Sequence, residues 1–524
     1  MVATDFDVLI VGYGPTGMVA AALLGQQGHR VGVVERYPSL YNLPRAATFD
    51  DETMRLFQKL GIADSVSAGA RAQATYDWVN AAGEVLIRNR FSDVGLSGWP
   101  EFNMMFQPVI EDALDALCRS TPGIEINRGM TLVGVAELDG LVRGLVETPD
   151  GTQRSFSARY LLGCDGGNST VGRALGVEFD DYEFQEPWLV CDFRLKRKVD
   201  LPMAQQLSDP RQPTSIISIG PHHHRFSFML DAVVDELDET VTRDVWERVS
   251  RWITADDAEL IRIAPYTFRS TVAQSWRQGR ILLAGDAAHQ MPPFLGQGMC
   301  SGLRDAHNLA WKLSVVLSGD ADDRLLDTYA AERSPHVRAI VERAVELGRV
   351  QTVRDPVDAL ERDAALVDQV ERGESPQAFQ FPGYDRGLLD PASSGKEVRG
   401  MLFPQTTVVD RSGARRRFDD IAGGGWVLLV RDGAWLDILG AADLKRWGDA
   451  TVSLVALSGS SGALSERSEV VGDVDGFYAA WLERHGAGAV LVRPDRYVFG
   501  SASSRGALPD LLAAPLEVMS SSPA

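Results

Sequence analysis

The stretch Gly285-Asp286-Ala287-Ala288-His289-Gln290-Met291-Pro292-Pro293-Phe294-Leu295-Gly296-Gln297-Gly298-Met299 has the residue types of a site for a flat ligand. An apolar run from Ile281 to Ala284 reads as a buried strand that stops at Gly285-Asp286. After the proline-bearing loop and Gly296-Gln297-Gly298, apolar residues recur at threes and fours: Leu303, Ala306, Leu309, Ala310, Leu313, Val316 and Leu317. That spacing predicts a helix, closed by Gly319. Its first turn has unpaired N–H groups at the positive end of the dipole, so it can face an anion. Proline fixes the loop, and Gly296 and Gly298 let the backbone approach without a Cβ in the way. The chemistry implied is that of a planar group that becomes negatively charged.

A second glycine-bearing turn opens the chain. Asp7 to Val11 reads as a buried strand, followed by Gly12-Tyr13-Gly14-Pro15-Thr16-Gly17, an apolar helix ending near Gly28, and a strand Val31 to Val34 that ends on Glu35. Strand, turn, helix, second strand and acid form the dinucleotide fingerprint: a tight turn, close approach to a pyrophosphate, and close helix–strand packing. Glu35 stands where an acid accepts hydrogen bonds from the adenosine ribose. Leu43-Pro44-Arg45-Ala46-Ala47-Thr48-Phe49-Asp50 leads into a helix from Asp51 to Leu60, and Gln107-Pro108 opens another over Val109 to Cys118. On spacing alone Arg45 is a solvated surface arginine. Tyr160 to Arg173 repeats the opening logic, a strand delivering Cys164-Asp165-Gly166 into a helix; Asp-Gly by itself is a turn.

The elements that position these motifs follow from patterning. Short strands at Thr75 to Val79 and Val142 to Glu147 flank the Val109 helix. Residues from about Asp180 to Phe268 are strand-rich (Trp188 to Leu195, Thr214 to Ile219, Arg225 to Leu230), with one helical segment near Val241 to Ile253, and predict an inserted sheet. His222-His223-His224 has no metal-ligand spacing and reads as a solvated turn. Leu325 to Arg333 is helical, and Pro335 is expected to break or kink it before a further helix through Leu347. Arg372 to Gly400, loaded with Pro, Gly and Ser, marks a linker. Beyond it strand-like Trp426 to Val430, helix-like Ala441 to Trp447, strand-like Val452 to Ala456, helix-like Val474 to His485 and strand-like Ala489 to Val492 form a small α/β domain without cysteine. Ser520 to Ala524 are expected to be disordered.

A chain of 524 residues can bury more than one core. A formal charge of −20 argues against nucleic acid or an anionic membrane as partner. Cys118, Cys164, Cys191 and Cys300 have no metal or redox spacing and predict free thiols in a reducing cytoplasm. No apolar run approaches membrane-spanning length, so a soluble cytoplasmic protein without a metal is expected.

Taken together, the opening fingerprint, Cys164-Asp165-Gly166, Gly285 to His289 and Asp305-Ala306 to Lys312 resemble the FAD-dependent aromatic hydroxylases of the para-hydroxybenzoate hydroxylase fold, the group A flavoprotein monooxygenases. Pro44-Arg45-Ala46, Asp50-Asp51-Glu52, Gly296-Gln297-Gly298 and Val492-Arg493-Pro494-Asp495-Arg496 are similar to the 3-(3-hydroxyphenyl)propionate hydroxylase subgroup. The likeness runs to about residue 350 and returns near residue 490. It implies an α/β fold, α+β in part, with a Rossmann-like FAD-binding domain over 1–180 and 269–371. Residues 181–268 would be an inserted mixed β-sheet substrate domain, to which roughly 75–105 contribute. Residues 372–400 would be a linker and 401–519 a thioredoxin-like C-terminal domain, with a homodimer as one possibility.

The resemblance also implies roles. Gly12, Gly14, Pro15, Thr16 and Gly17 would hold the FAD pyrophosphate, Glu35 and Arg36 the adenosine end, and Arg45 and Gln107 the phosphate and ribityl region. Asp286 would bind the ribityl or pyrophosphate region, and Asp165 would serve FAD and nicotinamide binding. Pro293, Gly296, Gly298, Met299 and Cys300 would surround the flavin, with Met299 and Cys300 amides at its pyrimidine edge. The Pro293 carbonyl would lie near the substrate hydroxyl, and no general base is assigned. NADH or NADPH, as transient co-substrate, would reduce FAD. Dioxygen would then add at the flavin C4a carbon, and the hydroperoxide would hydroxylate a phenolic ring, a 3-(3-hydroxyphenyl)propionate-like acid being favoured. A bulkier phenol or aromatic polyketide, or a flavin oxidase or reductase on the same scaffold, are the alternatives. A non-catalytic flavin-binding protein would show no substrate-stimulated nicotinamide oxidation.

Overall fold

The computed structural model describes every residue except 1–3, 234–238, 375–378, 394–397, 441–442, 445–446, 448–451, 458–468 and 521–524. The chain forms two compact units: Met1–Gly95, Pro100–Ala306 and Val337–Gln380 make one, and Leu96–Trp99, His307–His336 and Phe381–Ala524 the other.

The first unit is built on a sheet whose core runs Ile281–Leu283, Gln153–Gly163, Phe6–Val11, Val31–Glu35, Ile124–Arg128, all parallel neighbours. Val8, Leu9, Ile10, Val31 and Val33 are fully buried, as strands covered on both faces must be. Parallel order places the C-terminal ends of Phe6–Val11, Gln153–Gly163 and Ile281–Leu283 side by side. The Gly12, Cys164 and Gly285 turns therefore leave the sheet at one edge.

The inserted layer is a seven-stranded sheet in the order Ala258–Phe268, Glu186–Leu195, His223–Met229, Thr214–Ser218, Ala204–Leu207, Thr75–Val79, Val85–Arg90. Side chains alternate between its two faces. Leu189, Cys191, Phe193, Ile216, Phe226 and Phe228 pack in one core with Val245, Val249 and Ile253 of the following helical region. The cross-strand row Val190, Ser227, Ser215, Gln206 belongs to the other face.

In the second unit Val452–Ala456 pairs parallel with Trp426–Val430, which pairs antiparallel with Ala489–Val492, and Val498–Ala502 completes that side. This mixed sheet, covered by the helix Phe477–Arg484 through its buried Tyr478, Trp481 and Leu482, is the thioredoxin-like domain. Most of the helix expected over Ala441 to Trp447, and all of Ser520 to Ala524 except Ser520, lie outside the described residues.

Two expectations are corrected. Asp327–Gln351 is one continuous helix with Pro335 inside it, so the lost N–H does not end the element. The histidine run is not a solvated turn throughout: His224 lies within the strand His223–Met229 and is buried, and burial pushes its imidazole down to about 4.

Candidate active site

Both glycine turns open onto one cavity of about 480 Å³. Its lining includes Gly12, Gly14, Pro15, Thr16, Glu35, Arg36, Arg45, Gln107, Asp165, Asp286, Pro293, Gly296, Gly298 and Met299. Gly17 and Cys300, expected beside them, do not line it. Gly17 acts in packing instead: a Cβ built there would sit 2.1 Å from the Gly12 carbonyl oxygen.

The nucleotide end is preorganised. Gly12 has φ +99°, and a Cβ on it would meet the Cys164 carbonyl oxygen at 2.4 Å, so only glycine fits the turn. Gly14 caps the Pro15–Gln26 helix without a side-chain hydrogen bond, and the Met18 N–H donates back to the Gly14 carbonyl at 2.9 Å. The preceding first-turn amides are left for an anion. Glu35 accepts from the Tyr13 N–H at 2.7 Å and the Tyr37 N–H at 2.9 Å, which fixes its carboxylate at the cavity and leaves lone pairs for a ribose. Arg36 lies over the Tyr37 ring, 5.0 Å from its centroid.

Arg45 and Gln107 are joined by Glu111, a residue the motifs did not signal because it looks like any polar helix position. The Gln107 side-chain oxygen accepts from the Arg45 and Ala46 amides, and its nitrogen donates to Glu111 at 2.6 Å. The Arg45 guanidinium donates to the same Glu111 oxygen at 2.9 Å and stands 3.9 Å from where a Cβ on Gly14 would lie. A cation at that spot complements a phosphate on the helix amides. Glu111→Gln is expected to weaken FAD binding about tenfold, roughly the loss of one charge-assisted hydrogen bond. Fluorescence titration of the apoprotein checks this.

At the other end, Asp305 accepts from the Gly285 N–H at 3.0 Å and pairs with His289 at 2.7 Å, all buried. His289 thus positions the turn that carries Asp286. Protein surrounds Asp286, so burial pushes its carboxyl above the ordinary range, with His289 and Arg45 opposing. Its side chain is nevertheless exposed, because the surface it presents is cavity wall. Gln297 donates to Asp50 at 3.0 Å and accepts from Arg304 at 2.8 Å, and Arg304 also pairs with Asp50 and Glu52. This buried set fixes Gly296 and Gly298. The Ser301 N–H donates to the Gln297 carbonyl at 2.9 Å, so the amides of Gly298, Met299 and Cys300 precede the helical ladder. The Pro293 carbonyl accepts from the Gly296 N–H at 2.9 Å. Asp165, although at the cavity, is engaged with its own helix, accepting from Ser169 Oγ and the Thr170 and Val171 amides.

Beyond this the cavity continues over the polar face of the seven-stranded sheet, with Trp188, Val190, Phe268 and Phe294 among its apolar lining. Two arginines there share one carboxylate. Arg225 pairs with Asp192 at 2.6 Å and donates to the Pro44 and Arg45 carbonyls, and Arg262 donates to Pro44 at 2.7 Å and Asp192 at 3.3 Å. Sequence patterning did not signal this triad, since its members come from three strands.

The residues fit FAD: a glycine turn at Gly12 that a Cβ would fill, helix-start amides that precede the helical ladder, a cation beside them, and on the wall an aspartate with no hydrogen-bond partner among the described residues. Comparison with known proteins agrees. A family model described as an FAD binding domain matches residues 5–344, and one described as the HcaD C-terminal domain matches residues 400–516. The chain is 48% identical over 530 residues to a probable NADH-specific resorcinol 4-hydroxylase of Rhodococcus jostii (strain RHA1), covering 99% of this chain and 97% of that one. It is 34% identical over 514 residues to a 3-(3-hydroxy-phenyl)propionate/3-hydroxycinnamic acid hydroxylase of Mycobacterium sp. (strain JLS), covering 95% and 89%. The crystal structure of aklavinone-11 hydroxylase with FAD and aklavinone superposes with a TM-score of 0.76 at 27% identity, covering 99% of this chain and 100% of that one. Among the described residues no helix is long and apolar enough to cross a membrane. The chain belongs to the FAD-dependent aromatic hydroxylases, flavoprotein monooxygenases that use a nicotinamide and dioxygen to hydroxylate a phenolic ring.

Proposed function

We propose that this chain hydroxylates a small neutral phenol bearing more than one ring hydroxyl, with resorcinol as the pattern and NADH as electron donor. The observation that carries the reading is that both arginines at this end of the cavity are already engaged. Arg225 and Arg262 are both held by Asp192 and by backbone carbonyls, so a substrate carboxylate reaching for them would have to displace bonds already made. The relative at 48% identity, named for resorcinol and NADH, supports the same choice.

FAD, when bound, takes a hydride from the nicotinamide and delivers one oxygen atom of dioxygen to the ring, the other leaving as water. Gly12, Gly14, Pro15, Thr16 and Arg45 would hold its pyrophosphate, Glu35 and Arg36 its adenosine end, and Asp286 its ribityl chain. The Gly298 and Met299 amides, at the positive end of their helix, would stabilise negative charge at the pyrimidine edge. Trp188, Phe268 and Phe294 exclude water from the ring position, and the Pro293 carbonyl would accept the substrate hydroxyl proton's hydrogen bond. In the domain division that goes with this reading, 1–180 and 269–371 bind the cofactor and 181–268, with strands from 75–105, bind the phenol.

A phenolic acid is the second reading, favoured by Arg269, an exposed cavity-lining guanidinium with no ion pair among the described residues. Nicotinamide oxidation by the holoenzyme, with product analysis, separates the two. Resorcinol is expected to stimulate NADH oxidation at least about tenfold more, in kcat/KM, than 3-(3-hydroxyphenyl)propionate. A preference for the acid of that size would reject the neutral-phenol reading.

A further inference from the structure

We propose that Gln206, with Tyr76 and Ser215, is the subsite that grips a substrate hydroxyl and so sets which ring carbon faces the flavin. The proposal rests on the neutral-phenol reading and deepens it. The three residues come from three neighbouring strands, Gln206 standing directly across from Ser215 in the antiparallel pair and one strand from Tyr76 in the parallel one. All three line the cavity.

Gln206 is 2% exposed. Its Nε2 donates to the Tyr76 hydroxyl and, at 3.0 Å, to Ser215 Oγ. Its Oε1 has no hydrogen-bond partner among the described residues. Turning the amide over would leave Nε2 unmatched instead, since both protein partners sit at one end. Oε1 is itself buried, so the groups left to face a ligand are the Tyr76 and Ser215 hydroxyls, which the Gln206 Nε2 holds in place. With Nε2 as donor, the Tyr76 and Ser215 hydroxyls keep their own protons for donation. The two hydroxyls, oriented by Gln206, therefore offer protons and remaining lone pairs without charge, the complement of a phenolic O–H, which both donates and accepts. Burial raises the Tyr76 hydroxyl above its ordinary range, so it acts as a donor and not as a base.

The trio is also tied to the flavin loop. Tyr76 stacks on Phe102 with ring centroids 5.9 Å apart, and a Cβ on Gly296 would lie 3.9 Å from that Phe102 ring. A hydroxyl held by the trio is thus positioned relative to the same glycine turn that shapes the flavin site.

The test crosses two enzyme changes with one substrate change. Oxidised holoenzyme is titrated with resorcinol and with phenol, binding being read from the flavin absorbance, for the wild type, Tyr76→Phe and Gln206→Met. The same proteins are then assayed for product formed per NADH consumed. Wild type is expected to bind resorcinol about tenfold more tightly than phenol. Both variants, with FAD content unchanged, are expected to lose that discrimination and to release several-fold less product per NADH. A merely structural role would weaken both ligands alike and keep the discrimination, and that result overturns the proposal. Variants that bind and couple as the wild type does overturn it too, while product formation from resorcinol leaves the neutral-phenol reading standing. Wild type that binds neither phenol rejects both.

Discussion

Gly302→Ala is expected to leave the purified protein with little FAD, and Thr16→Ala in the same chain to restore much of it. A Cβ on Gly302 would lie 2.4 Å from Thr16 Oγ1 and 3.1 Å from the Gly285 Cα. The hydroxyl also stands against Gly285, where a Cβ, at φ +62°, would lie 2.7 Å from it. Thr16 is therefore enclosed between the two later glycines, and this contact is where the opening fingerprint and the second motif meet. Overpacking of this kind costs about 1–3 kcal/mol, which, taken from the cradle, lowers FAD affinity by about 5- to 150-fold. Removing Oγ1 leaves the new methyl 3.6 Å from the Cβ of residue 16, an ordinary contact, with only the approach to Gly285 still tight. Recovery should accordingly be substantial and incomplete. The flavin-to-protein absorbance ratio and an FAD titration of the apoproteins read both effects. A folded Gly302→Ala protein that holds FAD like the wild type would show that the two turns are not coupled through Thr16.

That contact also marks where the sequence stops being readable. Gly12, Gly14, Glu35, Gly285, Asp286 and Gly296 were legible because each demand is local: a positive φ, a strand end, a helix start. The partners that hold them were not. Glu111 looks like an ordinary polar position on the Gln107–Ser120 helix, and only the fold puts its carboxylate against Arg45 and Gln107. Gln206 and Tyr76 meet because Ala204–Leu207 pairs in parallel with Thr75–Val79, a register set by packing and not by either segment's pattern. The strands themselves were plain from alternation, and the face each presents followed once the register was known. Pro335 was misleading about a break for the opposite reason: one missing N–H is a local penalty of a few kcal/mol that burial of Val337, Ile340 and Val341 outweighs, so the helix runs on.

Arg493→Met is expected to destabilise the unit that contains it by about 3–5 kcal/mol. Val492 to Arg496 drew notice as a motif without a physical role, and the structure supplies one. Arg493 is fully buried and grips Glu332 through both terminal nitrogens, at 2.8 and 2.7 Å, and Asp495 at 3.0 and 2.6 Å. Lys312 donates to Glu332 at 2.6 Å, and Asn308 donates to both acids. Burial opposes ionisation of both acids and is the largest single influence, but the charge and hydrogen bonds of Arg493, with Lys312, together outweigh it and hold Glu332 and Asp495 below the usual carboxylate range. Because both folded values lie below the unfolded ones, the stability they confer is present above the ordinary carboxylate range and lost as pH falls through the folded values. Without Arg493, burial dominates and both values rise. Two acids then face Lys312 alone, so the loss should begin at higher pH as well as from a lower starting point. Urea unfolding followed by tryptophan fluorescence, with Trp311 and Trp426 packed edge to face at 5.8 Å as reporters, measures both shifts. Replacing Lys312, Glu332, Arg493 and Asp495 together by apolar residues should cost less than Arg493→Met alone, since no buried charge is then stranded. If the single variant unfolds at the wild-type urea midpoint at neutral pH, the cluster does not hold this unit together.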